Sequence, residues 1–434
     1  MERLPGFRDF YPEPLPHPDL WSADARQYIF DQWRGIARRY GFREYDGPPL
    51  EPLELFTTKS GEEIVGQLYN FIDKGERQVS LRPEMTPTLA RMVAAYERGY
   101  KKPFKWFALP QLFRYERQQK GRLREHFQFN ADIIGEKDPA AAAELIALLI
   151  DTLRAFGLTE RDFVIRLSSR NAWQDFFHQR HADPAQEYAF YQIIDKLERE
   201  PPEQSDEKLK RTGSSLVEVS SFIEQGKPTA ELDAVLKNLA ARGLNAYVKV
   251  DYHVIRGLAY YTGVVFEAFD RKGEFRAIAG GGRYDNLVKL VSGGKVDLPA
   301  LGFGMGDVVL LELLKARALL PKFDAALDAF CLIEDETLRG ESLKLIHDLR
   351  AAGLRVDYSL TPAKSDKQFK RAQELNATHT LKLERNQANE LLARVKNLQT
   401  RQECVVPFAE AAARLNASQG SRRASEAQDP RPQG

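Results

Sequence analysis

The sequence predicts an α+β fold: an antiparallel sheet flanked by helices and carrying a helical insertion, followed by a C-terminal α/β domain. Three observations predict it. Strand-like segments rich in aromatic residues fill residues 1–170 and return over 246–322, whereas 171–245 are charged and helical around a proline-containing break. Strands then alternate with helices over 325–415. The polar, low-complexity residues 416–434 are expected to be disordered.

The N-terminal segments show local helix and hairpin signals. Residues 21–40 carry apolar side chains at three-and-four spacing, which predicts an amphipathic helix with Ser22 as its N-cap. The segment LYNFIDKGERQVSLRPEMT predicts two strands joined by a turn at Lys74–Glu76. Thr86 is the expected N-cap of the next helix, because Pro87 suits a first helical turn.

A basic loop then separates two strand-like segments. FKWFALPQLFRYER (104–117) and REHFQFNADIIG (124–135) predict a long antiparallel hairpin, and residues 140–156 predict a helix that ends at Gly157. Five cations fall within eleven residues of the hairpin: Arg114, Arg117, Lys120, Arg122 and Arg124. Such a concentration of charge indicates either an anion site or a solvated loop.

The C-terminal third follows a different pattern, with a boundary expected at Pro321 and Lys322. DAFCLIE, LRVDYSL and THTLKLE read as strands, and GESLKLIHDLRAAG and SDKQFKRAQELN as the helices between them. Alternating strands and helices predict a small α/β domain with a largely parallel sheet.

Composition excludes several classes of protein. The net charge of the 434 residues is +1, so a globally basic nucleic-acid binder is not indicated, although a local basic patch is compatible with it. Two cysteines without metal-ligand spacing argue against a zinc site or a disulfide framework and fit a reducing cytoplasm. The N-terminus lacks a signal-peptide core, and the longest apolar run, Leu145–Ile150, is too short to cross a membrane.

Glycine-rich phosphate loops of the GxxxxGK[ST] type and the zinc motif HExxH do not occur in the sequence. A nucleotide would therefore be held by arginines on the antiparallel sheet. ATP carries about four negative charges on oxygens that guanidinium groups can contact in pairs. Arg114 begins the arm of the hairpin and could fix a phosphate, whereas Arg122 and Arg124 lie in the loop and could close over the outer phosphates.

Several motifs, in order along the chain, resemble those of the histidyl-tRNA synthetase family of class II aminoacyl-tRNA synthetases. FRYERQQKGRLREHF resembles motif 2 of that class, and VIRGLAYYTGVVFEAF (254–269) and AGGGRYDNL (279–287) resemble the two histidine-specific signatures. LPGFRDFYPE and LRPEMTPTLARMV also match. The resemblance covers about residues 4–410. It implies a class II catalytic sheet of six or seven antiparallel strands, a helical insertion and a C-terminal anticodon-binding domain.

The resemblance also implies the ATP-binding residues. Arg114 and Arg256 would hold the α-phosphate from two sides and act in catalysis, because negative charge builds up there during histidine activation. The other residues implied to contact ATP are Glu116, Arg122, Arg124 and Arg283. Mg²⁺ would enter with ATP, without a dedicated protein metal site.

A second set of residues is implied for L-histidine. Glu84, Met85 and Thr86 would hold the α-ammonium group, Gln128 would lie near the amino and carboxylate groups, and Arg114 and Arg256 complete this set. Asp132 and Tyr261 would each serve one imidazole nitrogen, and Tyr260 is a further candidate. The strand period of two places Gln128, Asn130 and Asp132 on one sheet face.

One departure and two alternatives accompany the resemblance. Val309 in GFGMGDVVLLELL stands where class II enzymes usually have an arginine over the adenine, and Arg283 could compensate.

The expected partners are tRNA(His) and a second copy of the chain, whose homodimer interface would include helix 21–40. The alternatives are the synthetase-like regulatory subunit of ATP phosphoribosyltransferase, which generally lacks the anticodon domain, and a class II synthetase for threonine, proline or glycine.

Overall fold

The structure, a computed structural model, describes residues 2–60, 66–115, 123–180, 183–255, 260–323 and 327–415. The predicted disordered tail 416–434 lies outside them. The chain divides into two compact units, one formed by residues 1–11 and 19–321, the other by 12–18 and 322–434. No helix among the described residues is long and apolar enough to cross a bilayer.

The first unit contains fourteen strands and eleven helices within its described residues. The strands are Phe10–Tyr11 (β1), Trp21–Ser22 (β2), Arg43–Glu44 (β3), Leu50–Pro52 (β4), Asn70–Ile72 (β5), Gln78–Leu81 (β6), Phe104–Ala108 (β7), Gln111–Phe113 (β8), Glu125–Ile134 (β9), Phe163–Ser169 (β10), Val248–Val250 (β11), Val264–Asp270 (β12), Ala279–Arg283 (β13) and Ala300–Gly306 (β14). The helices are Ala23–Arg39 (α1), Glu54–Ser60 (α2), Thr86–Tyr96 (α3), Ala140–Ala155 (α4), Arg170–His178 (α5), Glu187–Lys196 (α6), Pro202–Arg211 (α7), Leu216–Gln225 (α8), Ala230–Ala241 (α9), Leu287–Val291 (α10) and Asp307–Ala316 (α11).

The largest sheet has nine strands in the order β11-β10-β12-β13-β14-β9-β7-β3, with β8 also paired to β9. Its central pairings are antiparallel, as predicted, but the pairings at both edges, β10 with β11 and β3 with β7, are parallel. The sheet is therefore larger than the expected six or seven strands, and mixed. A parallel pair requires a long crossover, and helices α5 to α9 supply one between β10 and β11.

The local signals in the N-terminal half are confirmed except for one cap. The Ser22 side chain accepts a hydrogen bond from the Ala25 amide at the start of α1. Strands β5 and β6 form the predicted antiparallel hairpin, and β7 and β8 both pair antiparallel with β9. The prediction that Thr86 caps α3 is wrong: Thr86 is the first helical residue, and Met85 occupies the cap position without a side-chain hydrogen bond.

Helices α1 and α4 contribute much of the core beside β9. The Trp33 ring of α1 stacks on Phe129 of β9 at 5.7 Å between centroids. The apolar run Leu145–Ile150 of α4 is fully buried, so its hydrophobicity belongs to the protein core. Burying such side chains is the main stabilising contribution to a fold of this kind.

The described residues of the second unit include a five-stranded sheet, two complete helices and the helical residues 411–415. Its elements are Ala329–Cys331 (β15), Arg339–Ala351 (α12), Val356–Tyr358 (β16), Ser365–Glu374 (α13), His379–Arg385 (β17), Leu391–Asn397 (β18) and Glu403–Pro407 (β19). The strand order is β16-β15-β17-β18-β19. The first two pairings are parallel, but β17, β18 and β19 pair antiparallel, so the prediction of a largely parallel sheet is wrong for this half.

Candidate active site

A cavity of about 280 Å³ lies where β9, β14 and the start of β13 run side by side. Seven of the residues that were predicted to contact histidine or ATP line this cavity. They are Glu84, Thr86, Arg114, Gln128, Asp132, Tyr260 and Tyr261. The predicted alternation along β9 holds, because Asn130 lines the cavity between Gln128 and Asp132. Polar side chains from separate parts of the chain therefore share one cavity.

Glycines on β14 make room for these side chains. Gly302 pairs with Asp132 in the antiparallel register, and a Cβ atom at Gly302 would lie 1.8 Å from Asp132 Oδ1. A Cβ atom at Gly304 would lie 2.7 Å from the Gln128 side chain. The glycine spacing on one strand thus matches the polar spacing on its neighbour, since both follow the two-residue period of a sheet.

Asp132 is held by a tyrosine that the sequence analysis did not single out. The Tyr284 hydroxyl donates a 2.5 Å hydrogen bond to Asp132 Oδ1, and both residues are buried. Burial raises the pKa of Asp132 to about 7, and the hydrogen bond from Tyr284 opposes that rise. Tyr284 stands in the GGGRYD segment, so the motif marked the region but not the contact.

Glu84 is held in a similar way by Tyr260. The Tyr260 hydroxyl donates a 2.8 Å hydrogen bond to Glu84 Oε2, with both groups buried. Burial raises the pKa of Tyr260, and the negative charge of Glu84 raises it further, so the phenol stays a donor. Met85 is fully buried and is not among the residues that line the cavity, so the structure does not place it at the site as predicted.

Arg114 follows β8 and is anchored to the chain next to Glu84. Its Nε donates a 3.0 Å hydrogen bond to the carbonyl of Pro83, and its backbone amide donates to Arg124 at 2.8 Å. Arg124 packs its guanidinium over the Tyr115 ring at 4.3 Å and is not among the lining residues. The structure therefore brings Arg114 into the cavity and leaves Arg124 beside it.

The predicted ATP contact of Arg283 is not supported by its position. Arg283 is buried outside the cavity lining, and its Nη1 donates to the carbonyl of Glu136 at 2.9 Å and to Asp285 at 3.1 Å. Its Nε lies 4.0 Å from Glu231. Arg283 thus joins neighbouring segments on the face of β13 opposite to the cavity. This placement is expected because consecutive residues of a strand, here Gly282 and Arg283, point to opposite faces of a sheet. The predicted residues Glu116, Arg122 and Arg256 lie outside the described residues.

A buried ion triad supports the end of the site where α11 begins. Arg8 Nε lies 2.6 Å from Glu125 and Arg8 Nη1 lies 2.8 Å from Asp307. The Phe127 amide also donates to Asp307 at 3.0 Å. This triad joins the N-terminal segment to β9 and α11 across as many as 299 residues of sequence. All three residues lie in segments that resemble motifs of the family, but no role for their charges could be predicted from the sequence.

Sequence profiles of known families agree with this geometry. The profile described as "Histidyl-tRNA synthetase" matches residues 18–307, and the one described as "Anticodon binding domain" matches residues 329–418. The chain belongs to the histidyl-tRNA synthetase family. The first of these matches spans both carboxylate–tyrosine pairs and all the residues that line the cavity except Val308 and Val309, so the site lies in the part of the chain that carries the family likeness.

Individual relatives extend the likeness over nearly the whole chain. The histidine–tRNA ligase of Opitutus terrae is 45% identical over 429 residues, which cover 94% of this chain and 96% of that protein. The chloroplastic/mitochondrial histidine–tRNA ligase of Arabidopsis thaliana is 38% identical, covering 86% and 78%. The crystal structure of histidyl-tRNA synthetase from Nostoc sp. PCC 7120 is 23% identical, with a TM-score of 0.73 and coverage of 94% and 98%, which shows the shared fold.

Proposed function

We propose that this protein is a histidine–tRNA ligase, which activates L-histidine with ATP to histidyl-adenylate and transfers the histidine to tRNA(His). The observation that carries the proposal is the cavity in which Asp132 with Tyr284, and Glu84 with Tyr260, accompany Arg114. These groups complement an imidazole, an ammonium group and a phosphate. The similarity to histidine–tRNA ligases over more than nine-tenths of the chain supports the same activity.

Asp132 and Tyr261 would select the imidazole ring. Neutral imidazole has one nitrogen that donates a hydrogen bond and one that accepts. Asp132 would accept from the first, and the Tyr261 hydroxyl would donate to the second. A site that requires both bonds rejects amino acids whose side chains cannot form them, because its buried polar groups would be left unpaired.

Glu84 would pair with the α-ammonium group of histidine, assisted by Thr86. Gln128 would contact the amino and carboxylate groups from β9. Tyr260 acts here as a positioning residue, because its hydroxyl holds Glu84.

Activation joins two anions. An oxygen of the histidine carboxylate bonds to the α-phosphorus of ATP, the bond from that phosphorus to the bridging oxygen breaks, and pyrophosphate leaves. Arg114 and Arg256 would neutralise the charge that develops on the α-phosphoryl oxygens, which is the largest electrostatic requirement of such a step. A hydroxyl of the tRNA terminal ribose then takes the histidyl group, and AMP leaves. Glu116, Arg122 and Arg124 would contact the outer part of ATP.

The remaining partners follow from the same proposal. Mg²⁺ would arrive with ATP. The second unit would bind the anticodon, and Lys364, Lys367, Lys370 and Arg371 on and before α13 are all exposed and could contact phosphates. We further propose a cytoplasmic homodimer whose interface includes α1. The matching anticodon-binding profile favours this function over the regulatory subunit of ATP phosphoribosyltransferase.

Histidine-dependent exchange of pyrophosphate into ATP tests the proposal directly. We expect exchange with histidine and not with threonine, proline or glycine; absence of histidine-dependent exchange would favour a regulatory histidine-binding protein. Arg256→Ala should lower exchange by about 100-fold or more, as loss of other fixed donors to developing charge does, while the fold is retained. Arg98→Ala is a matched control, because the Arg98 side chain is 97% exposed. Near-normal exchange in the Arg256 variant would remove that residue from the catalytic set.

A further inference from the structure

A second arginine lines the cavity, at a position for which the sequence predicted no role. Among the described residues that line the cavity, the arginines are Arg114 and Arg276. Arg276 precedes β13, is exposed, and shares the lining with Val308 and Val309 of α11. The lining therefore combines an exposed cation with the apolar side chains at the start of α11.

Arg276 and the start of α11 lie at the same end of the β13–β14 pair. Ala279 of β13 pairs with Met305 of β14, and Gly280 pairs with Gly304. Arg276 lies three residues before β13 begins, and α11 begins directly after β14 ends, so both segments leave the sheet at this end. Arg276 consequently lines the same end of the cavity as Val309, where an arginine would otherwise be expected from the class II pattern.

This end of the cavity is separate from the end that would read imidazole. Gly302 pairs with Asp132, whereas Gly306 pairs with Gln128, four residues further along β14. At about 3.3 Å per residue, the two ends are about 13 Å apart. Arg114 also belongs to the Gly306 end, because β8 pairs with β9 at Glu125–Phe127.

We propose that Arg276 binds the nucleotide, contacting ATP at the end of the cavity where α11 begins; this inference rests on the proposed function. Val308 and Val309 provide an apolar surface for a planar base, and a guanidinium can both stack on a base and pair with phosphate oxygens. Arg276 thereby supplies the cation that is missing at position 309. Arg276, rather than Arg283 as predicted, would then compensate for the arginine that is missing at position 309.

Calorimetric titration of ATP and, separately, of L-histidine into the full chain tests the proposal without requiring turnover. Arg276→Ala should weaken ATP binding by about 10- to 100-fold, the usual range for a hydrogen bond to a charged group, and change histidine binding less than about twofold. Lys272→Ala is the matched control: Lys272 is exposed in the same loop and does not line the cavity. It should leave both affinities unchanged.

Arg276→Lys, which retains the charge but not the planar fork, should recover part of the ATP affinity. An ATP affinity within twofold of wild type in Arg276→Ala would overturn the proposal, as would an equal loss of histidine affinity, which would indicate a damaged cavity. A lysine variant no better than alanine would overturn a role through charge. Absence of histidine-dependent exchange in the wild-type protein would instead refute the proposed function, while the ATP titrations would still decide the role of Arg276.

Discussion

The free energy of unfolding of the Asp132→Asn variant, measured relative to that of the wild type, should increase as the pH rises. Burial raises the pKa of Asp132 from 3.8 to about 7, so the folded state keeps its proton where the unfolded chain has lost it. Between about pH 4 and pH 7 the unfolded state binds fewer protons, and the stability of the wild-type fold falls as the pH increases. A shift of about three pKa units corresponds to about 4 kcal/mol. Asparagine cannot ionise and still accepts from Tyr284, so the variant avoids this loss.

Urea denaturation followed by tryptophan fluorescence can measure the effect. All four tryptophans of the chain, Trp21, Trp33, Trp106 and Trp173, lie in the first unit, so the signal reports the unit that contains Asp132. The difference in the free energy of unfolding between variant and wild type should grow by about 3 kcal/mol from pH 4.5 to pH 8, because part of the effect is already present at pH 4.5. Asp31→Asn, an exposed substitution on α1, is the control and should follow the wild-type profile.

Parallel stability profiles for Asp132→Asn and wild type would refute the reasoning, because they would mean that burial imposes no cost on the ionised carboxylate. The same variant should bind L-histidine more weakly, since an amide is a poorer acceptor for an imidazole N–H than a carboxylate. Higher stability together with weaker binding is typical of a residue whose position serves function at the expense of stability.

The remaining predictions concern the partners of buried carboxylates. Arg8→Met should lower the free energy of unfolding by about 3–5 kcal/mol, because Glu125 and Asp307 would remain buried without their cation; a loss below about 1 kcal/mol in urea denaturation would contradict the ion-triad interpretation. Tyr284→Phe should weaken L-histidine binding by about 10-fold and raise the pKa of Asp132 further, because the hydrogen bond from Tyr284 lowers it. Calorimetry over a pH series measures both effects, and an unchanged histidine affinity at all pH values would count against a positioning role for Tyr284.

The sequence predicted those elements whose signals are local. The helix α1 and the hairpins around β6 and β9 each follow from side-chain periodicity and from turn residues a few positions apart. Strands β18 and β19 were missed because their alternating residues are mostly polar or only half-buried, so hydrophobicity did not distinguish them from loops. The Thr86 cap failed for a related reason: the residue type was suitable, but the helix begins one residue earlier than a cap at Thr86 requires.

Within the site, sequence reasoning found residues but not their partners. Gln128 and Asp132 were predicted together because a strand alternates every two residues. The bond from Tyr284 to Asp132 spans 152 residues and that from Tyr260 to Glu84 spans 176, and no periodicity reaches so far. Arg276 was missed because it shares a cavity with the start of α11 only once β13 and β14 are paired, and the sequence does not show that pairing.

The two sets of buried carboxylates differ in the partner that the fold gives them. Glu125 and Asp307 share the guanidinium of Arg8, so a cation of the chain compensates part of their charge, and they join segments of the chain. Asp132 meets a tyrosine hydroxyl, which stabilises its charge far less than a cation does, and burial therefore dominates its pKa. When the fold supplies no cation to a buried carboxylate, a ligand that donates an N–H hydrogen bond to that carboxylate stabilises its charge the most. For this reason we expect histidine recognition to depend on Asp132 rather than on the carboxylates that pair with Arg8.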